Sequence, residues 1–167
     1  MRNITNKEIK IIFIIIIMDF IIKIFGMGQS SSAKKVNFED IQNIIQKKRR
    51  NFILINTLPN QEQNCLIQAT ISSLEEEKII NAHLNKDLGI VIYAANSNDE
   101  SLLKKYQQLL DLGFTRVFIY PGGLFEWLLL QDIYGKEEFP TTIMELDILK
   151  YKPKPKISTN NLLENID

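Results

Sequence analysis

The sequence predicts an α/β domain with a mainly parallel central sheet and helices on both faces of that sheet. Three short apolar runs, residues 52–56, 90–94 and 117–120, have the length and the β-branched content of buried strands. Segments with the apolar spacing of amphipathic helices lie between and after these runs. Strands joined through helices run parallel with right-handed crossovers, and such sheets bind ligands at the carboxyl ends of their strands.

Length and composition limit the classes of function. The 167 residues suit one domain (36–140) between an apolar, low-complexity extension and linker (1–35) and an extended Lys/Pro-containing tail (141–167). The formal net charge of zero gives no field that would attract nucleic acid, and no nucleic-acid partner is expected. One cysteine and one histidine exclude a disulfide framework and a multi-cysteine metal site, and no cofactor is predicted.

Local sequence patterns place the ends of three helices. Asn37 is an N-cap residue, and Asp40 stands at the position that completes a capping box. Ser72 and Glu75 have the same spacing at the start of the next helix. Gly113 follows an apolar helical face in the place of a C′ glycine, so the third helix is predicted to end just before it.

The predicted last helix, residues 124–133, is apolar nearly all round. Such a helix is usually buried, which would place Trp127 in the core, and Gly122-Gly123 before it allows a tight strand-to-helix turn. Alternatively, one turn of this helix and the Lys-Pro tail form a surface for a partner. The candidate residues of that surface are Leu124, Phe125, Lys152 and Lys154.

The stretch from residue 89 to residue 135 resembles the rhodanese-like domain family. The resemblance rests on the strand 90–93, the helix end at 112–114, the strand 117–120, and Gly122-Gly123 with Trp127 four residues on. It covers residues 36–135 and implies the fold described above. In that family the central strand ends with a catalytic cysteine, which carries the transferred sulfur and heads a loop of backbone amides over the next helix.

The position of that cysteine is occupied by an alanine in this sequence. No residue of the loop offers a sulfur atom, and the acids at the start of the following helix suit the helix dipole but repel anionic substrates. We therefore predict a degenerate active-site loop without catalytic residues. It comprises Ala94, Ala95, Asn96, Ser97, Asn98, Asp99 and Glu100.

Two further family motifs are also altered. The Asp-x-Arg signature that closes the first strand corresponds to Asn56-Thr57-Leu58, which carries no charge. The Gly-His-Ile-Pro-Gly-Ala stretch corresponds to residues 64–69, with Cys65 at the histidine and Ala69 at the alanine. A single cysteine among aliphatic residues is predicted to be a packed hydrophobe rather than a nucleophile. His83 is predicted to lie on a helix surface.

The N-terminal extension supports two interpretations. Residues 9–26 nearly reach the length of a membrane span, but Asp19 near their middle is costly there, which leaves a signal anchor as one hypothesis. If translation starts at Met27, Gly28 fits the N-myristoylation pattern M-G-x-x-x-[ST], and two lysines follow it. The plainer alternative is that residues 28–35 are a flexible linker.

Taken with the resemblance, these features predict a catalytically inactive rhodanese-like domain that acts as a binding or scaffold module. Its expected partner is another protein, and its expected location is the cytoplasm, with membrane association through the N-terminus. The alternative is an active sulfurtransferase, or a related phosphatase-like enzyme, that uses a non-standard residue or a partner's thiol. A third hypothesis is a structural component of a larger assembly.

Overall fold

The computed structural model describes residues 32–47, 51–82 and 86–155. The apolar extension with Gly28, the residue His83 and the end of the Lys/Pro tail lie outside these ranges, and the predictions made for them stay predictions.

The core of the domain is a three-stranded parallel sheet. Its strands are β1 (Phe52–Asn56), β2 (Gly89–Tyr93) and β3 (Val117–Tyr120), with β2 in the centre. The three predicted strands and their parallel arrangement are thus confirmed. β2 begins one residue earlier than predicted and ends at Tyr93, so Ala94 is the first residue of the loop rather than the last of the strand.

Short backbone pairings extend the sheet at both edges. At the β3 edge, Val36 N donates to Ile119 O at 2.9 Å, and Ile119 N donates to Lys34 O at 2.8 Å. At the β1 edge, Ile71 N donates to Leu54 O at 3.0 Å. Both pairings are parallel. Within the described residues, one strand and one further paired segment therefore lie on each side of the central strand β2.

Helices cover both faces of the sheet, as predicted. The side chains of β2 alternate: Val91 and Tyr93 face one hydrophobic cluster, and Ile90 and Ile92 face the other. The helices are α1 (Phe38–Gln46), α2 (Ser73–Ala82), α3 (Ser101–Asp111) and α4 (Gly123–Tyr134). The first cluster includes buried residues of α1 and α4, and the second includes buried residues of α2 and α3.

The predicted helix ends are confirmed by hydrogen bonds. In α1, Asp40 N donates to Asn37 Oδ1 at 3.1 Å and Asn37 N donates to Asp40 Oδ2 at 3.2 Å, which is a reciprocal capping box. In α2, Glu75 N donates to Ser72 Oγ at 3.2 Å. At the end of α3, Gly113 takes a left-handed φ of +90°, which an L side chain would resist.

Residues 140–151 fold back onto the domain instead of forming an extended tail. Gln68 N donates to Pro140 O at 3.0 Å, and Thr142 N donates to Leu66 O at 2.9 Å. The chain then forms a 3₁₀ helix, Ile148–Tyr151, like the shorter one at Asn60–Glu62, and the side chain of Tyr151 is buried. The extended part of the predicted tail therefore begins only after Tyr151.

Ala69 has a left-handed φ of +68°. Glycine adopts this conformation without steric cost, whereas a Cβ makes it unfavourable. The backbone at Ala69 is therefore strained. The expected correspondence of Ala69 to the alanine of the Gly-His-Ile-Pro-Gly-Ala stretch, and of Cys65 to its histidine, stays a prediction.

We predict that Ala69→Gly stabilises the domain. A non-glycine residue in the left-handed region costs about 1–3 kcal/mol, and the greater backbone entropy of unfolded glycine offsets about 0.5–1 kcal/mol of the gain. The free energy of unfolding in urea should therefore rise by about 1 kcal/mol. The control Ala82→Gly, at a right-handed position in α2, should instead lose up to about 1 kcal/mol. Equal losses in both variants would contradict the strain at Ala69.

Candidate functional site

The loop of residues 94–100 lies at the carboxyl end of the central strand, where parallel sheets bind their ligands. Ala94 is fully buried, and Ala95 is almost so. Ala94 belongs to the cluster under α2 and α3, while Ala95 belongs to the cluster under α1 and α4. At the end of the central strand the structure thus places a methyl group that solvent does not reach.

Backbone hydrogen bonds attach this loop to the start of α4. Leu124 N donates to Ala94 O, and Phe125 N donates to Ala95 O, both at 2.9 Å. Gly123 precedes these donors with a φ of +64°, and a Cβ on it would lie 2.5 Å from Ala94 O. Only glycine allows this approach, so the predicted tight turn at Gly122-Gly123 is confirmed.

Backbone amides of the loop donate to oxygens of the loop itself. Asn98 N donates to Asn96 Oδ1 at 3.1 Å, and Asp99 N donates to Asn96 O at 3.3 Å. Ser101 N donates to Asp99 Oδ1 at 2.9 Å, so Asp99 caps the start of α3. These amides could hold an anion only if Asn96 and Asp99 released them, and Asp99 adds a negative charge beside them.

The C-terminal segment lies against the same loop. Asn96 Nδ2 donates to Tyr151 O at 2.8 Å, and the Tyr151 side chain packs in the cluster that contains Ala95 and Cys65. The sequence did not reveal this contact, because Tyr151 stands among lysines and prolines. In the sequence, the one sign that this polar segment contains a buried side chain is that Tyr151 is aromatic.

Neutral hydrogen bonds form at residues 56–58, where the resemblance predicts a charged signature. Asn56 is buried, and its Oδ1 accepts a hydrogen bond from Leu58 N at 3.1 Å. Thr57 N donates to Tyr93 O at 3.0 Å, which continues the β1–β2 ladder. Ser101 Oγ donates to Thr57 Oγ1 at 2.7 Å. The hydroxyl groups of Thr57 and Ser101 are thus hydrogen-bonded to each other, and neither shows a hydrogen bond to an activating base within the described residues.

Cys65 is a packed core residue, as predicted. Its side chain is fully buried, and Sγ lies 3.5 Å from Ile143 O, to which it donates. Burial is the main reason that the pKa of the Cys65 thiol is raised above its usual value. A thiol of this kind is a poor nucleophile at neutral pH because little of it is thiolate.

The family assignment follows from comparison with known proteins. The sequence model described as "Rhodanese-like domain" matches residues 39–130, which is more than half of the chain. The chain belongs to the rhodanese-like domain family. The expected resemblance is therefore confirmed. Comparison with curated proteins gives no match.

Solved structures agree with this fold. A protein from Anabaena sp. is 19% identical with a TM-score of 0.51, and the match covers 69% of this chain and 97% of that one. The rhodanese-like domain of the same Anabaena protein, solved by NMR, is 20% identical (TM-score 0.48, 74% and 87% covered). An uncharacterised protein from Saccharomyces cerevisiae is 21% identical (TM-score 0.47, 59% and 93% covered). At these identities the similarity to the first structure supports the fold alone.

Helix α4 of the rhodanese-like domain is buried along its first half. Trp127 is fully buried and its Nε1 donates to Pro140 O at 3.2 Å, as expected for a core residue. Leu124 is also fully buried, so it cannot belong to the partner surface predicted from the sequence, and Phe125 is partly buried against the core. Lys152 and Lys154 are exposed. The large exposed side chains of α4 lie further along the helix and are Leu129, Ile133 and Tyr134.

The described part of the domain contains neither a candidate metal site nor a helix that could span a membrane. Within residues 32–47, 51–82 and 86–155, no group of three or more His, Cys, Asp or Glu side chains is placed to hold a metal ion. In the same ranges, none of the helices combines the length and the apolar character that crossing a membrane requires.

We predict that the domain loses stability at alkaline pH. Tyr93 Oη accepts from Ile67 N at 3.2 Å and shares a 2.8 Å hydrogen bond with Thr70 Oγ1, and burial raises the pKa of Tyr93 far above its usual value. In the unfolded chain Cys65 and Tyr93 ionise near their ordinary pKa values of about 8.5 and about 10. The contribution of these two groups to the free energy of unfolding is therefore complete below about pH 8. It is lost as the pH rises further, because the unfolded chain then releases protons that the folded chain retains.

The test is urea unfolding at neutral pH and at two alkaline values. The free energy of unfolding should be level near neutrality and fall by up to about 1.4 kcal/mol per pH unit for each group that ionises only when unfolded. Tyr93→Phe should make the decline above about pH 10 shallower. A stability that rises with pH in this range would disprove the assignment.

Proposed function

We propose that this rhodanese-like domain is a catalytically inactive binding or scaffold module. The observation that supports this proposal most directly is the fully buried Ala94 at the end of the central strand. Sulfur transfer requires a thiolate at that place, stabilised by loop amides, and here the amides donate to Asn96 and Asp99 instead. Cys65 does not substitute for the missing nucleophile, because it is buried and the pKa of its thiol is raised.

The competing function is an active sulfurtransferase, or a phosphatase-like enzyme, with a non-standard residue or a partner's thiol. Ser97 is the exposed hydroxyl of the loop, whereas Ser101 is bonded to Thr57. Neither arrangement supplies the base that a serine nucleophile needs. A partner's thiol would have to reach Ala94, whose side chain is fully buried.

The first test of this proposal is thiosulfate:cyanide sulfur transfer. The unmodified protein should show no turnover above background. Ala94→Cys alone should restore little, because a buried thiol without a neighbouring cation keeps a pKa at or above about 8.5. Adding Asp99→Ser and Glu100→Gly should restore more, since serine can still cap α3 while the negative charge is removed.

Cys65→Ser is the control for this assay. Turnover by the unmodified protein that survives Cys65→Ser would show that another residue is catalytic, and the proposal would fail. Turnover that Cys65→Ser abolishes would identify Cys65 as the nucleophile, which also contradicts the proposal. Both results are separable from misfolding by comparing the thermal unfolding of each variant with that of the unmodified protein.

The proposed setting of this module is the cytoplasmic face of a membrane, with another protein as its partner. The sequence supports a myristoyl group on Gly28 if translation starts at Met27. A single myristoyl chain binds membranes only marginally, so a second signal is needed for stable anchoring. Lys34 and Lys35 are exposed at the start of the domain and could provide part of it.

The second test therefore concerns Gly28. Gly28→Ala removes the acceptor and should move the protein from the membrane fraction to the soluble fraction of expressing cells. Mass spectrometry of the native N-terminus should show an acylated Gly28. An intact N-terminus at Met1 would refute the lipid hypothesis and favour the signal-anchor alternative.

A further inference from the structure

A cluster of exposed aliphatic side chains occupies residues 143–149. Met144 is 71% exposed, Leu146 is 85% exposed and Leu149 is 60% exposed, and Ile143 is about half exposed beside them. Single exposed aliphatic side chains are ordinary on protein surfaces, but four within seven residues form a patch that requires an explanation.

Contacts at both ends hold this segment against the domain. Before the patch, Thr142 N donates to Leu66 O, and Cys65 Sγ donates to Ile143 O. After it, Tyr151 is buried in the core cluster, and its carbonyl accepts from the side chain of Asn96. The aliphatic side chains are thus presented by a segment whose backbone is fixed to the fold.

The charges beside the patch favour an anionic surface. Glu145 forms an ion pair with Lys150, which leaves Asp147 as the remaining acid between residues 143 and 154. Lys152 and Lys154 are exposed directly after the patch. The alternation of lysine with proline prevents a helix there and keeps the chain extended, with its lysines available to solvent.

We propose that residues 143–154 form a membrane-contact surface for anionic phospholipids. The aliphatic side chains would enter the interfacial region, and Lys152 and Lys154 would contact the headgroups. Protein interfaces favour aromatic residues, methionine and arginine and are depleted in lysine and aspartate, whereas residues 143–154 expose one isoleucine, two leucines, one methionine, one aspartate and three lysines. The composition therefore favours lipid over a protein partner.

This contact goes beyond the N-terminal tether proposed above and does not require it. A patch of this kind would supply the second signal that a single acyl chain lacks. The side chains proposed to contact lipid belong neither to the loop of residues 94–100 nor to Gly28. Lipid contact can therefore fail while the proposed function holds, and the converse is also true.

The experiment places an environment-sensitive dye in the patch of the full chain. Leu146→Cys is labelled with a nitrobenzoxadiazole dye, and burial of Cys65 confines labelling to the new thiol. Vesicles of phosphatidylcholine with about 30% phosphatidylserine should shift its emission to the blue, and vesicles of phosphatidylcholine alone should shift it far less. The matched control is Leu74→Cys on α2, where the side chain is 80% exposed, and its dye should not respond.

Lysine substitutions test the charge contribution. Lys152→Gln with Lys154→Gln should weaken the apparent vesicle affinity, measured with the dye at position 146, about 25-fold, at about fivefold for each lysine. Lys47→Gln with Lys104→Gln, which removes two exposed lysines elsewhere, should leave it unchanged. Thermal unfolding of all variants should match that of the unmodified protein, because the substituted side chains are exposed.

Four results would overturn the proposal. They are no response at position 146, an equal response at position 74, an equal response to vesicles without phosphatidylserine, and an equal loss in the two lysine pairs. Binding through the N-terminal residues alone would give the first of these, because the dye reports only contact at its own position. A concentration-dependent blue shift without vesicles would identify a second copy of the chain as the occupant and would also overturn it.

Discussion

The end of the central strand β2 depends on the close approach of Gly123 to the carbonyl oxygen of Ala94. This approach allows α4 to donate its first amides to Ala94 O and Ala95 O, and it positions the loop over the two hydrophobic clusters. A side chain at Gly123 would push the loop from the helix, because the atom it meets belongs to the backbone and cannot rotate away. The backbone geometry between the loop and α4 therefore requires a residue without a Cβ at position 123.

The loop of residues 94–100 uses Asn96 and Asp99 as hydrogen-bond acceptors for nearby backbone amides. A loop that binds an anion leaves its amides free for the ligand. In this chain Asn96 and Asp99 accept from the amides of Asn98 and Ser101, so the loop satisfies its own donors in the absence of a ligand. The neutral Asn56 and the Thr57–Ser101 hydroxyl pair extend the same pattern to the neighbouring strand end.

The sequence was sufficient for the elements that depend on local or periodic patterns. The three strands are continuous apolar runs, and the caps at Asn37, Ser72 and Gly113 are local motifs, so each was predicted within a residue or two. Contacts between distant segments have no such pattern. The bond from Asn96 to Tyr151 spans 55 residues, and the burial of Leu124 depends on how α4 packs, which an all-round apolar helix does not reveal.

The fold-back of residues 140–151 separates the boundary of the family from the boundary of the folding unit. The family match ends at residue 130, yet Trp127 donates to Pro140 and Tyr151 fills the core beside Cys65. A chain that ends after residue 135, because of a protease or an early stop codon, would keep the residues of the family match. It would lose the segment 140–151 that covers the core. The residues that match the family are therefore not sufficient to close the domain. Closure also requires the twelve residues 140–151.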